Sequence, residues 1–198
     1  ILFEVLTLKI FEQIKRFNNQ LHSLKLLPVS SKDTIKSLQK VKAQLEKEVK
    51  LLEKKLELLL KEWQPQQHKS ISSVKGIGKR ATAMLIIFTQ GFRNTKNHRQ
   101  LISYAGLSPT EYSSGSSIKG SGRIYKKGGK AMRDVLYMCA MNAKLTNPAC
   151  RALYERLKAN GKTGKQALIA VMNKLLKQVF AVAKKGTIYQ PNFCSQKP

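Results

Sequence analysis

From Ile35 onward, apolar residues return at alternating spacings of three and four: Ile35, Leu38, Leu45, Val49, Leu52, Leu56, Leu59 and Trp63, with Lys42 alone interrupting the seam. Glu and Lys fill the positions between. The pattern is a heptad repeat and predicts a coiled-coil helix, which needs a partner. One partner is a second apolar stripe in the same chain, formed by Phe3, Leu6, Ile10, Ile14, Phe17, Leu21 and Leu24. Residues 27–33 then make the turn of a helical hairpin, with Ser31 or Asp33 capping the second helix. The other partner is a second copy of the chain, which makes the protein a homo-oligomer.

The pattern stops at residues 63–70, where Pro65 stands in a polar run, and we expect a boundary there. This divides the chain into an arm over residues 1–66, a second domain over 67–192 and a tail over 193–198. The second domain opens with Gly76, Ile77 and Gly78 ahead of an apolar helix that runs to Phe88. This arrangement resembles the hairpin of helix-hairpin-helix modules, in which glycines free backbone N–H groups to hold a DNA phosphate without reading bases. Gly76, Gly78, Lys79 and Arg80 are its candidate contacts; the same glycines also suit a plain tight turn. Further helices are expected around Leu101–Ala105, over Lys130–Lys144, over Cys150–Ala159 and over Lys165–Lys184. Strand signals are confined to Thr110–Tyr112 and Arg123–Tyr125, which are expected to pair as a small hairpin. The predicted fold is mainly α, a coiled-coil arm or helical hairpin followed by a compact basic helical domain.

Charge sharpens the division. The chain has 37 Lys and Arg against 11 Asp and Glu, and residues 1–70 hold 14 and 8 of these, net +6. Residues 71–198 hold the remaining 23 and 3, net +20 of the total +26. So lopsided a surface repels itself unless a polyanion binds it, and nucleic acid is the first choice. A basic membrane-surface helix is disfavoured, because residues 71–198 show no long amphipathic helix lined with lysines. The longest apolar run there, Ala83–Phe88, is too short to span a bilayer. The hydrophobic fraction of 42% exceeds that of a disordered basic tail.

The segment Pro109–Gly129 combines serines and glycines with Lys119, Arg123, Lys126 and Lys127, and holds one acid, Glu111. Glycines let main-chain N–H groups approach an anion, and the cations suit successive phosphates. A serine there is a candidate nucleophile, with Ser113, Ser114, Ser116 and Ser117 equivalent on this ground alone. The same composition also describes a solvated linker. Cys139, Cys150 and Cys194 have no paired short spacing, and His22, His68 and His98 stand apart, so neither a disulfide framework nor a metal site is indicated in this chain.

The order of these motifs is specific. Val74–Gly78 with Thr82 and Ala83 is followed by Leu101–Pro109, Tyr112–Ser117, Gly122–Gly128, Arg133, Asn147–Ala149, Tyr154–Leu157 and Gly161–Lys162. Over about residues 70–190 it resembles the C-terminal transposase domain of the insertion-sequence family typified by element one-ten, which includes the Piv DNA invertases. The resemblance implies a bacterial DNA recombinase of the cytoplasm and nucleoid. In that family a RuvC-like Asp-Glu-Asp-Asp domain precedes this one across a coiled coil, and some members use a guide RNA. A serine before a glycine joins covalently to DNA. That position matches Ser114, before Gly115, with Arg123, Lys126 and Arg133 placed to stabilise phosphate charge. Mg²⁺ is expected in the RuvC-like half, which this chain does not contain. The chain, opening on Ile1, is therefore expected to be a truncated copy. The rival from a different class is a non-enzymatic nucleic-acid adaptor that dimerises by its coiled coil.

Overall fold

In the computed structural model the heptad stripe lies on one unbroken helix, α2 (Lys32–Trp63), and the end of the upstream stripe on α1 (residues 16–24). The structure describes residues 16–24, 32–93, 95–110, 113–114, 118–119, 123–124 and 129–191. Leu21 of α1 and Val49 of α2 are buried, and Asn18, Leu21 and His22 share a cleft with Gln39, Lys42 and Glu46. The described end of the upstream stripe thus lies beside α2 within one chain. Phe3, Leu6, Ile10, Ile14 and Ser31 lie outside the described residues. Asp33 sits inside the first turn of α2, where its charge complements the helix N-terminus. Lys42–Glu46 and Lys61–Glu57 pair one turn apart along α2.

Two compact units make up the chain, Ile1–Glu62 and Trp63–Pro198. The polar run expected to link them is helical: α3 spans Pro65–Ser72. Proline breaks α2 yet starts α3, because at the first helical position its missing N–H would have had no partner. Ser70 and Ile71 are buried on the inner face of α3. In the second unit α4 (Lys79–Phe88), α5 (His98–Tyr104), α6 (Lys130–Thr146), α7 (Pro148–Ala159) and α8 (Gly164–Lys185) follow.

The core of this unit is α8. Leu168, Val171, Met172, Leu175, Leu176 and Val179 on it are buried, and α3, α5, α6 and α7 all pack against it. Thr163 and Gln166 close a capping box at its start and Gly186, at φ 66°, its end. Its 22 residues are long and apolar enough to cross a membrane by length and composition, and half of that stretch is buried inside the protein. The apolarity serves the core. At the other end of the unit, Lys184 Nζ donates to Phe92 O at 2.8 Å. This fixes a turn in which Gln90, Gly91 and Phe92 all have positive φ.

Between α3 and α4 the two glycines of the expected phosphate hairpin have different surroundings. Gly76 has φ 100°, and a Cβ placed on it would stand 2.5 Å from Ala143 Cβ. Its task is close approach to α6. Gly78, the N-cap of α4, has φ −88° and open space where a Cβ would sit. Gly76→Ala should therefore lower the unfolding free energy by about 2–4 kcal/mol through strain and overpacking. Gly78→Ala should change it by less than about 1 kcal/mol. Urea unfolding of the two variants checks this, and equal losses would refute the division of labour.

Candidate nucleic-acid interface

The Ser/Gly segment forms a ribbon held at its base. Leaving α5, the chain turns at Gly106, at φ 68°, and buries Ala105 and Leu107 completely or nearly so. The strand β1 (Pro109–Thr110) then pairs antiparallel with β4 (Arg123–Ile124), as the strand signals led us to expect. Further out, β2 (Ser113–Ser114) pairs with β3 (Ile118–Lys119), with Ser114 opposite Ile118 and Ser113 opposite Lys119. Ser114 is thus the last residue of β2, and Lys119 lies across from its neighbour. The two ladders are offset by one residue. Lys126 and Lys127 lie outside the described residues.

Arg133, in the first turn of α6, donates through one guanidinium nitrogen to Ala105 O at 3.3 Å. Because Ala105 precedes the ribbon and Arg133 follows it, this bond ties the two feet together. The residue expected to stabilise a phosphate is also a structural clamp.

The glycine turn is fixed by a polar cluster that periodicity does not reveal. Asn147 is fully buried. Its Nδ2 donates to Lys75 O at 3.1 Å, within the turn, and to Gln178 Oε1 of α8 at 3.0 Å. Its Oδ1 accepts from Cys150 N at 3.3 Å, capping α7, and from Tyr189 Oη at 3.1 Å. Gln178 Nε2 donates to Tyr189 Oη at 3.1 Å, and Tyr189 N donates to Ser73 Oγ at 2.8 Å. One side chain thereby joins the turn, α7, α8 and the segment after α8. The helix expected over Lys130–Lys144 runs on to Thr146, and the pair Asn147–Pro148 stands at its end. The same pair starts α7 as N-cap and first helical residue. Nothing in the sequence marks Tyr189 or Gln178.

Lys79 and Arg80 are exposed in the first turn of α4, beside Gly78. Gly78 lends no side-chain cap, and Thr82 N makes the first intrahelical bond to its carbonyl at 2.9 Å. This helix start, with two cations and no acid in its first turn, suits an anion. The thiols of Cys139 and Cys150 are buried. Desolvation pushes Cys139 up and Cys150 to about 11, so both stay protonated and poorly nucleophilic near neutral pH. Asp134 and Glu155 are exposed, and among the described residues no three His, Cys, Asp or Glu side chains gather.

Residues 68–155 match the model of the transposase IS116/IS110/IS902 family. The chain is 32% identical over 120 residues to an insertion element IS110 uncharacterized 43.6 kDa protein of Streptomyces coelicolor, covering 61% of this chain and 29% of that one. It is 34% identical over 117 residues to pilin gene-inverting proteins of Moraxella lacunata and Moraxella bovis, covering 59% of this chain and 36% of each. The chain therefore spans about a third of the length of these relatives. The matched segment encloses the glycine turn, the described strands of the Ser/Gly segment, α6 and the Asn147 cap, and over it the chain is similar to the IS116/IS110/IS902 transposases.

Proposed function

We propose that the unit Trp63–Pro198 is the DNA-binding and strand-joining part of a recombinase, with Ser114 as the residue that bonds to DNA. The observation that carries this reading is the position of the family match, which covers the Ser/Gly ribbon and the glycine turn together. Relatives described as a pilin gene-inverting protein and an insertion-element protein support DNA as the substrate class. The net charge of +20 over residues 71–198 supplies the attraction. In this reading the protein works in the cytoplasm, on the DNA of the nucleoid.

In the reaction, Ser114 Oγ attacks a backbone phosphorus. A P–O bond to the adjoining nucleotide breaks as the Oγ–P ester forms, and the leaving oxygen takes up a proton, freeing a strand end. Attack by a second strand hydroxyl on that ester reverses the exchange and releases the serine. Lys119, Arg123, Lys126 and Lys127 bind and orient the phosphate, while Arg133 keeps the ribbon feet together. Mg²⁺ would be held by an acidic domain of the whole recombinase, where it would supply further positive charge. Lys79, Arg80 and the Gly78 amide end of α4 hold DNA at a second point without reading bases.

A non-enzymatic adaptor gains support from one feature, the half-exposed Leu51, Leu58 and Leu59 of α2, which offer an apolar flank for pairing with another copy. The two readings part at Ser114, whose hydroxyl an adaptor does not need.

DNA affinity should fall steeply with salt, by about one unit of log K per log salt for each phosphate neutralised. Replacing Lys79, Arg80, Lys126 and Lys127 together by Ala should flatten that slope by about three to four units. Fluorescence anisotropy across a salt series measures it, and an unchanged slope would remove these residues from the interface. With the acidic domain of a close relative, Mg²⁺ and any guide RNA supplied, Ser114→Ala should abolish covalent protein–DNA adducts on denaturing gels. Its DNA affinity should stay within about twofold, because one neutral hydroxyl adds little to phosphate binding. Adducts that persist in Ser114→Ala but vanish in Ser113→Ala or Ser116→Ala would move the nucleophile. Adducts indifferent to every serine of the ribbon would favour the adaptor.

A further inference from the structure

The groove between α7 and α8 plays no part in the reading above. Its floor is built from Ala149 and Ala152 of α7 and Ala170 of α8, and it encloses about 520 Å³. Three cations line it, Arg156 on α7 and Lys174 and Lys177 one turn apart on α8, all exposed. None of its lining residues is acidic. Arg156 and all of α8 fall beyond the family match, which ends at residue 155.

Three features converge on a ligand. Alanines set the groove deep where larger side chains would fill it, so cations stand along an open trough instead of over a packed seam. A trough of about 520 Å³ has room for a few units of one strand and none for a duplex. In the same groove, Asn173 Oδ1 is a buried acceptor with no hydrogen-bond partner, the one such side-chain atom among the described residues. A buried acceptor left unpaired is destabilising and calls for a donor. Phosphate alone has none to give, whereas a strand carries base amino groups and, in RNA, ribose hydroxyls.

We infer that the α7–α8 groove is a second nucleic-acid site, which holds the phosphodiester backbone of a single strand on Arg156, Lys174 and Lys177 and pairs Asn173 with a donor of that strand. The inference rests on reading the unit as nucleic-acid-binding, and adds a strand path separate from the ribbon and the α4 helix start. A recombinase needs such a path, because a cut duplex exposes single strands that must be kept from rejoining at random.

The test uses the full chain, with single-stranded DNA, RNA of the same sequence and the corresponding duplex DNA as probes, each titrated across a salt series. The triple variant Arg156→Ala, Lys174→Ala, Lys177→Ala should flatten the single-strand slope by about two units, at about 0.7 per phosphate, and barely change the duplex slope. These side chains are exposed, so its melting temperature should match the parent. A second variant, Ala152→Leu with Ala170→Leu, fills the trough with all charges kept and should weaken single-strand binding as well. Equal losses on DNA and RNA indicate that the shared backbone is read; a loss confined to RNA, reproduced by Asn173→Ala, assigns the ribose hydroxyl. Unchanged single-strand slope in the triple variant, or parental affinity in the filled one, would overturn the inference. A parent chain with no salt-dependent affinity for any probe would overturn the nucleic-acid reading itself, a distinguishable failure.

Discussion

The buried carboxamide of Asn147 is the contact on which the basic unit depends. It offers two donors and an acceptor oxygen in one rigid plane, and each is used on a different element: the turn before α4, α8, the start of α7 and Tyr189 beyond α8. Inside a protein such a cluster is strong when complete and costly when broken, since each partner left behind becomes an unsatisfied buried group. An apolar residue of the same size could fill the space. It could not hold the carbonyl of Lys75, and so could not fix the loop that carries Gly76 and Gly78.

This matters because the unit must tolerate its own charge. Twenty excess positive charges over residues 71–198 oppose compaction. Two features offset that repulsion. The buried face of α8 gathers the hydrophobic contacts of four neighbouring helices, with each fully buried Leu or Val contributing about 1.5–3 kcal/mol. The second is the use of cations as structural donors: Arg133 holds Ala105 O and Lys184 holds Phe92 O. Both bonds tie loops to the helical frame, and the first sets the feet of the ribbon that carries Ser114.

What could be read from the chain was local. Helices α6, α7 and α8 emerged within a few residues of their ends, because apolar spacing is encoded within a few positions. The pairing of β1 with β4 was legible for the same reason. The long-range uses of residues were hidden. Gly76 looked like a phosphate-binding glycine, and its positive φ fits a turn, but the residue it must clear is Ala143, on another helix. The run after Trp63 looked like a linker, since composition cannot distinguish a proline that ends one helix from one that begins the next. The apolar stretch of α8 and the polar cluster of Asn147, Gln178 and Tyr189 acquire meaning only from what the fold brings beside them. Of the candidate site, Ser114 came from family likeness, while Arg133 gained a second role through a carbonyl 28 residues away.

The most direct test of this account is native-state hydrogen exchange in Asn147→Ala, read at the amides of Ile77, Cys150 and Leu175. Ile77 N donates to Val74 O within the turn, at 3.0 Å, and Cys150 N to Asn147 O at the start of α7, at 3.1 Å. Leu175 reports the core of α8. If Asn147 is the hub, Ile77 and Cys150 should lose protection together and by more than Leu175, because the turn and the α7 start open while the hydrophobic core persists. Unchanged protection at Ile77, or an equal loss at all three amides, would contradict it.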